Sequence, residues 1–149
     1  MHITQHTDYA LRVLIYLGTN DDRLVTIQEI SERFVVSRNH LMKVVNQLIR
    51  AGFVKGVRGK GGGLRLGRAA AEIGVGDVVR RMERGMELVE CFGSDCNCIL
   101  DPSCKLKVAL SDALAAFLKV LDGVTLTDLL GRSEHAILRF LPQAAVSRS

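Results

Sequence analysis

The 149-residue sequence predicts a mainly α-helical chain carrying one small β-hairpin. Three observations lead there. Apolar residues recur at helical spacing in several separate stretches, two of them preceded by a Ser or Thr in the N-cap position. One glycine-rich run, Gly59 to Gly63, separates two short strand-like segments, as a hairpin requires. A wide apolar stripe then runs from Lys105 to Leu121.

Residues 8–17 (DYALRVLIYL) are almost continuously apolar and read as a buried helix ending near Gly18, before the turn-rich Thr19-Asn20-Asp21-Asp22. Thr26, with Glu29 three positions on, is the capping box of a short second helix whose Ile27, Ile30 and Phe34 face inward. Val35 and Val36 make a turn. Ser37 caps a third helix, RNHLMKVVNQLIRA, and Gly52 closes it. There Leu41, Val44, Val45 and Leu48 form the core face, leaving Arg38, Asn39, His40, Lys43 and Gln47 outward. Two short helices joined by a tight turn, the second polar on one side, match a helix-turn-helix.

Phe53–Val57 and Leu64–Leu66 read as the two strands, with Arg58-Gly59-Lys60-Gly61-Gly62-Gly63 between them. A glycine-rich hairpin directly after a recognition helix is a β-wing, whose Arg58 and Lys60 supply phosphate or minor-groove contacts. A nucleotide-binding loop fails on pattern: no Ser or Thr follows Lys60, and no G-x-G-x-x-G opens a helix. A further helix is expected from Val75 to Glu87, with Asp77 near its positive end, and a last short one at Thr125–Leu130. The stripe of the long helix comprises Leu106, Ala109, Leu110, Ala113, Leu114, Phe117, Leu118 and Leu121. Its natural partner is the same helix of a second subunit; packing onto the chain's own winged domain is the alternative. The organisation expected is a winged helix-turn-helix domain over residues 1–70, a cysteine loop and dimerisation helix over 71–130, and a partly disordered tail over 131–149.

Charge supports a nucleic-acid partner. Residues 1–70 carry 11 basic and 5 acidic side chains, hence +6, whereas residues 71–149 carry 9 and 11, hence −2. Arg33 to Ala71 holds nine basic residues and no Asp or Glu. Such a run repels itself unless an anion compensates it, and the phosphate backbone of double-stranded DNA is the commonest anion that large. Ser37, Arg38, Asn39, His40 and Lys43 sit at the start of the recognition helix, where base edges are usually met. No stretch approaches the roughly 20 apolar residues of a membrane span, and the N-terminus lacks a secretory signal, so a cytoplasmic protein is expected. No Ser/His/Asp, paired-carboxylate or metal-hydrolase constellation is present, so no catalysis is expected.

All four cysteines lie within Cys91–Cys104, in the spacing C-x4-C-x-C-x5-C. In a reducing compartment such a cluster is a metal site or a redox thiol site. The spacing fits neither paired zinc knuckles, nor ferredoxin, nor a redox C-x-x-C. It leaves iron–sulfur open beside zinc and thiol redox.

The stretch Thr4-Gln5-His6-Thr7-Asp8-Tyr9-Ala10-Leu11-Arg12-Val13-Leu14 resembles the start of the Rrf-type winged-helix repressors, most closely their nitric-oxide-sensing NsrR branch. The wing Val57-Arg58-Gly59-Lys60-Gly61-Gly62-Gly63-Leu64, the segment Leu88-Val89-Glu90-Cys91-Phe92 and Pro102-Ser103-Cys104-Lys105-Leu106-Lys107 fit the same family, so the resemblance spans about residues 1–130. It implies a homodimer that represses transcription from operator DNA until nitric oxide attacks an iron–sulfur cluster, 4Fe–4S or else 2Fe–2S. It implies Cys91, Cys98 and Cys104 as ligands, with Cys96 the alternative middle ligand, and Asp8 of the partner subunit as the fourth. Related iron–sulfur-assembly regulators use a His three residues after the last Cys, where this chain has Lys107. None of His2, His6, His40 and His135 has a ligand-like partner in sequence. Rival readings are a regulator sensing oxygen or iron supply, one using zinc or disulfide exchange, and an iron–sulfur electron carrier, which leaves the basic run unexplained.

Overall fold

The first helix, α1 (Gln5–Thr19), is the axle of the fold. Its Ala10, Val13, Leu14 and Leu17 are buried, and helices, wing and C-terminal turn all pack around it. A computed structural model describes residues 2–101, 103–132 and 137. The helix starts earlier than its apolar run because the Thr4 side chain caps it, accepting from the Thr7 N–H, and it continues one residue beyond Gly18.

Helix α2 (Ile27–Phe34) starts where Thr26 Oγ1 accepts from the Glu29 N–H at 3.2 Å. The Glu29 carboxylate also takes Arg23 and the Tyr16 hydroxyl, tying α1 to the head of α2. The turn then passes through Val35 in the left-handed region (φ 54°, ψ 46°), with Ser31 Oγ donating to the Val36 carbonyl at 2.6 Å. Helix α3 (Arg38–Arg50) is capped by Ser37, whose Oγ accepts from the His40 N–H at 3.1 Å, and it stops at Gly52 with φ 79°. Leu41, Val44, Val45 and Leu48 are buried, the face the periodicity predicts.

Strands β1 (Val54–Val57) and β2 (Gly63–Leu66) pair antiparallel, Val54 opposite Leu66 and Val57 opposite Gly63. The hairpin is pinned to the body by a two-way bridge, Val25 N–H to Leu64 O at 3.0 Å and Leu64 N–H to Val25 O at 2.7 Å. Its tip needs glycine for two separate reasons. Gly59 and Gly61 have φ of 99° and 76°, while a Cβ on Gly62 would stand 2.2 Å from the Val57 carbonyl oxygen.

Helix α4 (Val75–Met82) ends sooner than the expected Glu87. The cause is long-range: Glu83 turns extended and its carboxylate accepts from the backbone N–H and hydroxyl of Thr4, at 2.8 and 3.0 Å. A loop with a 3-10 turn at Glu90–Phe92 leads to α5 (Lys105–Asp122), which lies along α4 through an Arg80–Asp122 ion pair. Helix α6 (Leu126–Leu129) returns to the body, with the Leu126 N–H bonded to Ile73 O at 2.8 Å and Leu130 against Gly18. Among the described residues none of α5 is buried, although two thirds of its length is apolar; Leu106, Val108 and Val120 are exposed. No helix among the described residues is long and apolar enough to cross a membrane. Apart from Gly131, Arg132 and Ile137, the tail expected to be disordered lies outside the described residues, as does His135.

Candidate functional site

The outward side of α3 and the wing form one polar surface. Arg38, Asn39, Met42, Lys43 and Asn46 are exposed along the helix, as are Lys55, Arg58, Lys60 and Arg65 in the hairpin. A groove runs between them, lined by Thr26 and Gln28 at the head of α2, Arg38, Asn46 and Ile49 of α3, and Arg58 of the wing. Ser37 is exposed but its hydroxyl caps α3.

Two outward assignments do not hold. His40 is half-buried, its ring edge-on to Tyr9 at 5.0 Å and stacked towards His6 at 6.3 Å. Gln47 Oε1 accepts from His6 Nε2 at 2.8 Å, and Gln47 Nε2 donates to the Arg81 carbonyl at 2.7 Å. Both are drawn inward because α1 and the end of α4 offer polar partners that helical periodicity alone cannot reveal. Sequence reasoning missed Met42 and Asn46, which extend the row begun by Arg38 at four-residue steps. Not every cation of the acid-free run faces solvent freely: Arg68 folds back, Nη2 to Ala51 O at 3.1 Å and Nε to Gly52 O at 3.3 Å, over the Phe53 ring. It caps the C-terminus of α3.

The second region is the cysteine loop. All four cysteines are free; Cys91, Cys96 and Cys104 are half-buried, and Cys98 is exposed. Cys104 is the N-cap of α5, its Sγ accepting from the Lys107 N–H at 3.4 Å. Lys107 Nζ pairs with Asp101 Oδ1 at 2.9 Å, closing the loop onto the start of α5. Desolvation pushes the Cys91 thiol above its ordinary value; a charge on Cys96 adds to this and Lys107 opposes it. Asp101 first, and then Cys91 and Cys96, hold Lys107 in its charged form. Cys91, Cys96 and Lys107 therefore share one electrostatic neighbourhood. Four soft thiols in one short loop suit iron–sulfur or zinc chemistry. Among the described residues, no three His, Cys, Asp or Glu side chains converge to hold a metal ion.

Asp8 lies in the first turn of α1, half-exposed, with its carboxylate 2.8 Å from Arg12 one turn on. Its neighbours His6 and Tyr9 are the residues that touch Gln47 and His40 of α3. The start of α1 and α3 are thus joined through side-chain contacts.

The profile of the Rrf2 family, described as iron-dependent transcriptional regulators, matches residues 3–132. The HTH-type transcriptional regulator NsrR of Bacillus licheniformis is 47% identical over 137 residues, covering 91% of this chain and 96% of that protein. The protein of the same name from Geobacillus kaustophilus is 47% identical over 143 residues, covering 95% and 96%. The structure of the IscR of T. potens superposes with a TM-score of 0.72 at 27% identity, over 97% of this chain and 94% of that one.

Proposed function

This chain belongs to the Rrf2 family of transcriptional regulators, and from that premise we propose that it is a cytoplasmic, homodimeric repressor that releases operator DNA when nitric oxide attacks an iron–sulfur cluster. Its named relatives are regulators rather than enzymes, in keeping with the expectation of no catalysis. One observation carries the sensing half of the reading: the only four thiols of the chain sit, all free, in one loop that runs directly into the N-terminus of the long helix.

Cys91, Cys98 and Cys104 are the proposed thiolate ligands, most simply of a 4Fe–4S cluster, with Asp8 of the partner subunit as the fourth. When bound, the cluster supplies iron that reacts with nitric oxide. The remaining chemistry belongs to the chain. Cys104 at the N-cap places its sulfur at the head of α5, where it accepts from the Lys107 N–H. Asp8 has two competing partners, the metal site across the dimer and Arg12 on its own helix. A carboxylate is a weaker ligand for iron than a thiolate, so a link held by Asp8 would be the first to yield. When Asp8 returns to Arg12, the start of α1 is freed, and His6 and Tyr9 pass that freedom to Gln47 and His40 of α3. Two heads held at half-sites about 34 Å apart would then lose their spacing. The apolar face of α5, uncovered within one chain, supports the second copy.

Cys96 as middle ligand is the second reading, favoured by its place beside Cys91 while Cys98 faces solvent. The test is anaerobic purification of the wild type, Cys96→Ala and Cys98→Ala, with iron and sulfide assays, followed by nitric oxide titration against promoter DNA. Retention of iron by Cys96→Ala and loss by Cys98→Ala is expected; the converse selects Cys96. A colourless zinc protein would sink the cluster, and full nitric-oxide-dependent release by Asp8→Ala would sink the tether.

A further inference from the structure

The reading helix carries a feature that phosphate binding does not require. Arg38, Met42 and Asn46 stand at i, i+4 and i+8, all exposed, opposite the buried Leu41, Val44, Val45 and Leu48. Met42 is 43% exposed at the middle of an otherwise polar row. Ile49, the next residue on this stripe, is also exposed and lies beside the base of the wing at Gly56, so Met42 is the apolar group flanked by Arg38 and Asn46 at the centre of the row. Asn46 and Arg38 share their groove with Arg58, so this row lies on the strongly basic side of the chain. Eight residues of α-helix rise about 12 Å, the length of three to four base pairs.

In the major groove, thymine alone presents a methyl group, adenine pairs bidentately with Asn, and guanine with Arg. A long, unbranched thioether adapts to a methyl surface at little cost in shape. We propose that Met42 and Asn46 are specificity-determining residues that select A·T pairs, Met42 by covering a thymine methyl and Asn46 by bonding an adenine, with Arg38 reading at the outer end of the row. These roles rest on the reading of α3 as the DNA-recognition helix.

The test begins with selection of binding duplexes from a randomised pool, followed by replacement of each selected thymine with deoxyuridine, which removes only the methyl. For the wild type, one thymine per half-site should show an affinity loss of about fourfold on replacement, the value of one buried methyl group at ~0.8 kcal/mol. Met42→Ala should bind the thymine site about fourfold more weakly and show no further loss with deoxyuridine. Asn46→Ala should lose about tenfold of its preference for A·T at a neighbouring position. Both positions are exposed, so melting temperatures should stay at the wild-type value. A Met42→Ala protein with the full deoxyuridine penalty, or selected sites with no methyl-sensitive thymine, would overturn the assignment. Failure to select any duplex at low salt would instead overturn the recognition-helix reading beneath it.

Discussion

Arg68→Met separates a structural cation from those proposed to bind DNA. The substitution keeps an apolar stem beside Phe53 but removes the guanidinium, and with it the bonds to the Ala51 and Gly52 carbonyls at 3.1 and 3.3 Å. It also removes a cation–π interaction whose guanidinium carbon lies 4.9 Å from the ring centroid. Water can replace each bond in part because Arg68 is half-exposed, which leaves roughly 0.5 kcal/mol apiece. The ring interaction adds about 0.5 kcal/mol at a partly exposed site. The expected loss is therefore about 1.5 kcal/mol. For 149 residues the unfolding entropy is about 0.3 kcal/mol/K, so the melting temperature should fall by about 5 °C at fixed protein concentration. The dependence of DNA affinity on salt should keep its slope, because the guanidinium meets no phosphate. Calorimetry and a salt titration of binding by fluorescence anisotropy measure the two effects. An unchanged melting temperature together with a shallower salt slope would refute the capping role and return Arg68 to the DNA-facing set.

Lys60→Ala and Arg58→Ala should show the opposite pattern: no change in melting temperature, and a salt slope reduced by about one unit for each phosphate no longer neutralised. Unchanged slopes would remove the wing tip from the interface. Val35 is 69% exposed in a left-handed conformation that costs a β-branched residue roughly 1–2 kcal/mol, so Val35→Asn should stabilise the chain by about 1 kcal/mol in urea unfolding. Destabilisation would mean the turn is held for another reason. Arg23 holds the Glu29 carboxyl below the usual carboxylate range despite partial burial, and the Tyr16 hydroxyl assists. The folded state thus prefers the ionised group: this stability is present above the unfolded value of about 4.3 and is lost as pH falls through the lower folded value. Glu29→Gln should flatten the fall in the urea midpoint between about pH 5 and 3, and an equally steep profile would count against the pairing.

Helix starts and the wing were legible because their determinants are local. Thr26, Ser37 and the glycines at positions 59–63 act on residues within a few positions of themselves. The inward face of α3 followed from period alone. What escaped depended on distant partners. The end of α4 is set by Glu83 reaching Thr4, 79 residues away, and Arg68 leaves the basic surface because carbonyls 16 and 17 residues earlier need a cap. His40 and Gln47 turned inward for similar reasons, since His6, Tyr9 and Arg81 come from other elements. The cysteines were legible as a group, but their spacing says nothing of which thiol meets which.

The wing tip also limits how the protein can change. Gly59 and Gly61 are held by backbone angle, and Gly62 and Gly63 by carbonyl oxygens 2.2 and 2.9 Å from where a Cβ would stand. Between Val57 and Leu64 only positions 58 and 60 can accept a new side chain without reshaping the hairpin. Mutational drift could therefore retune the tip's charge in two discrete steps while its outline stays fixed. Adaptation to a new operator would have to come mainly from the outward row of α3.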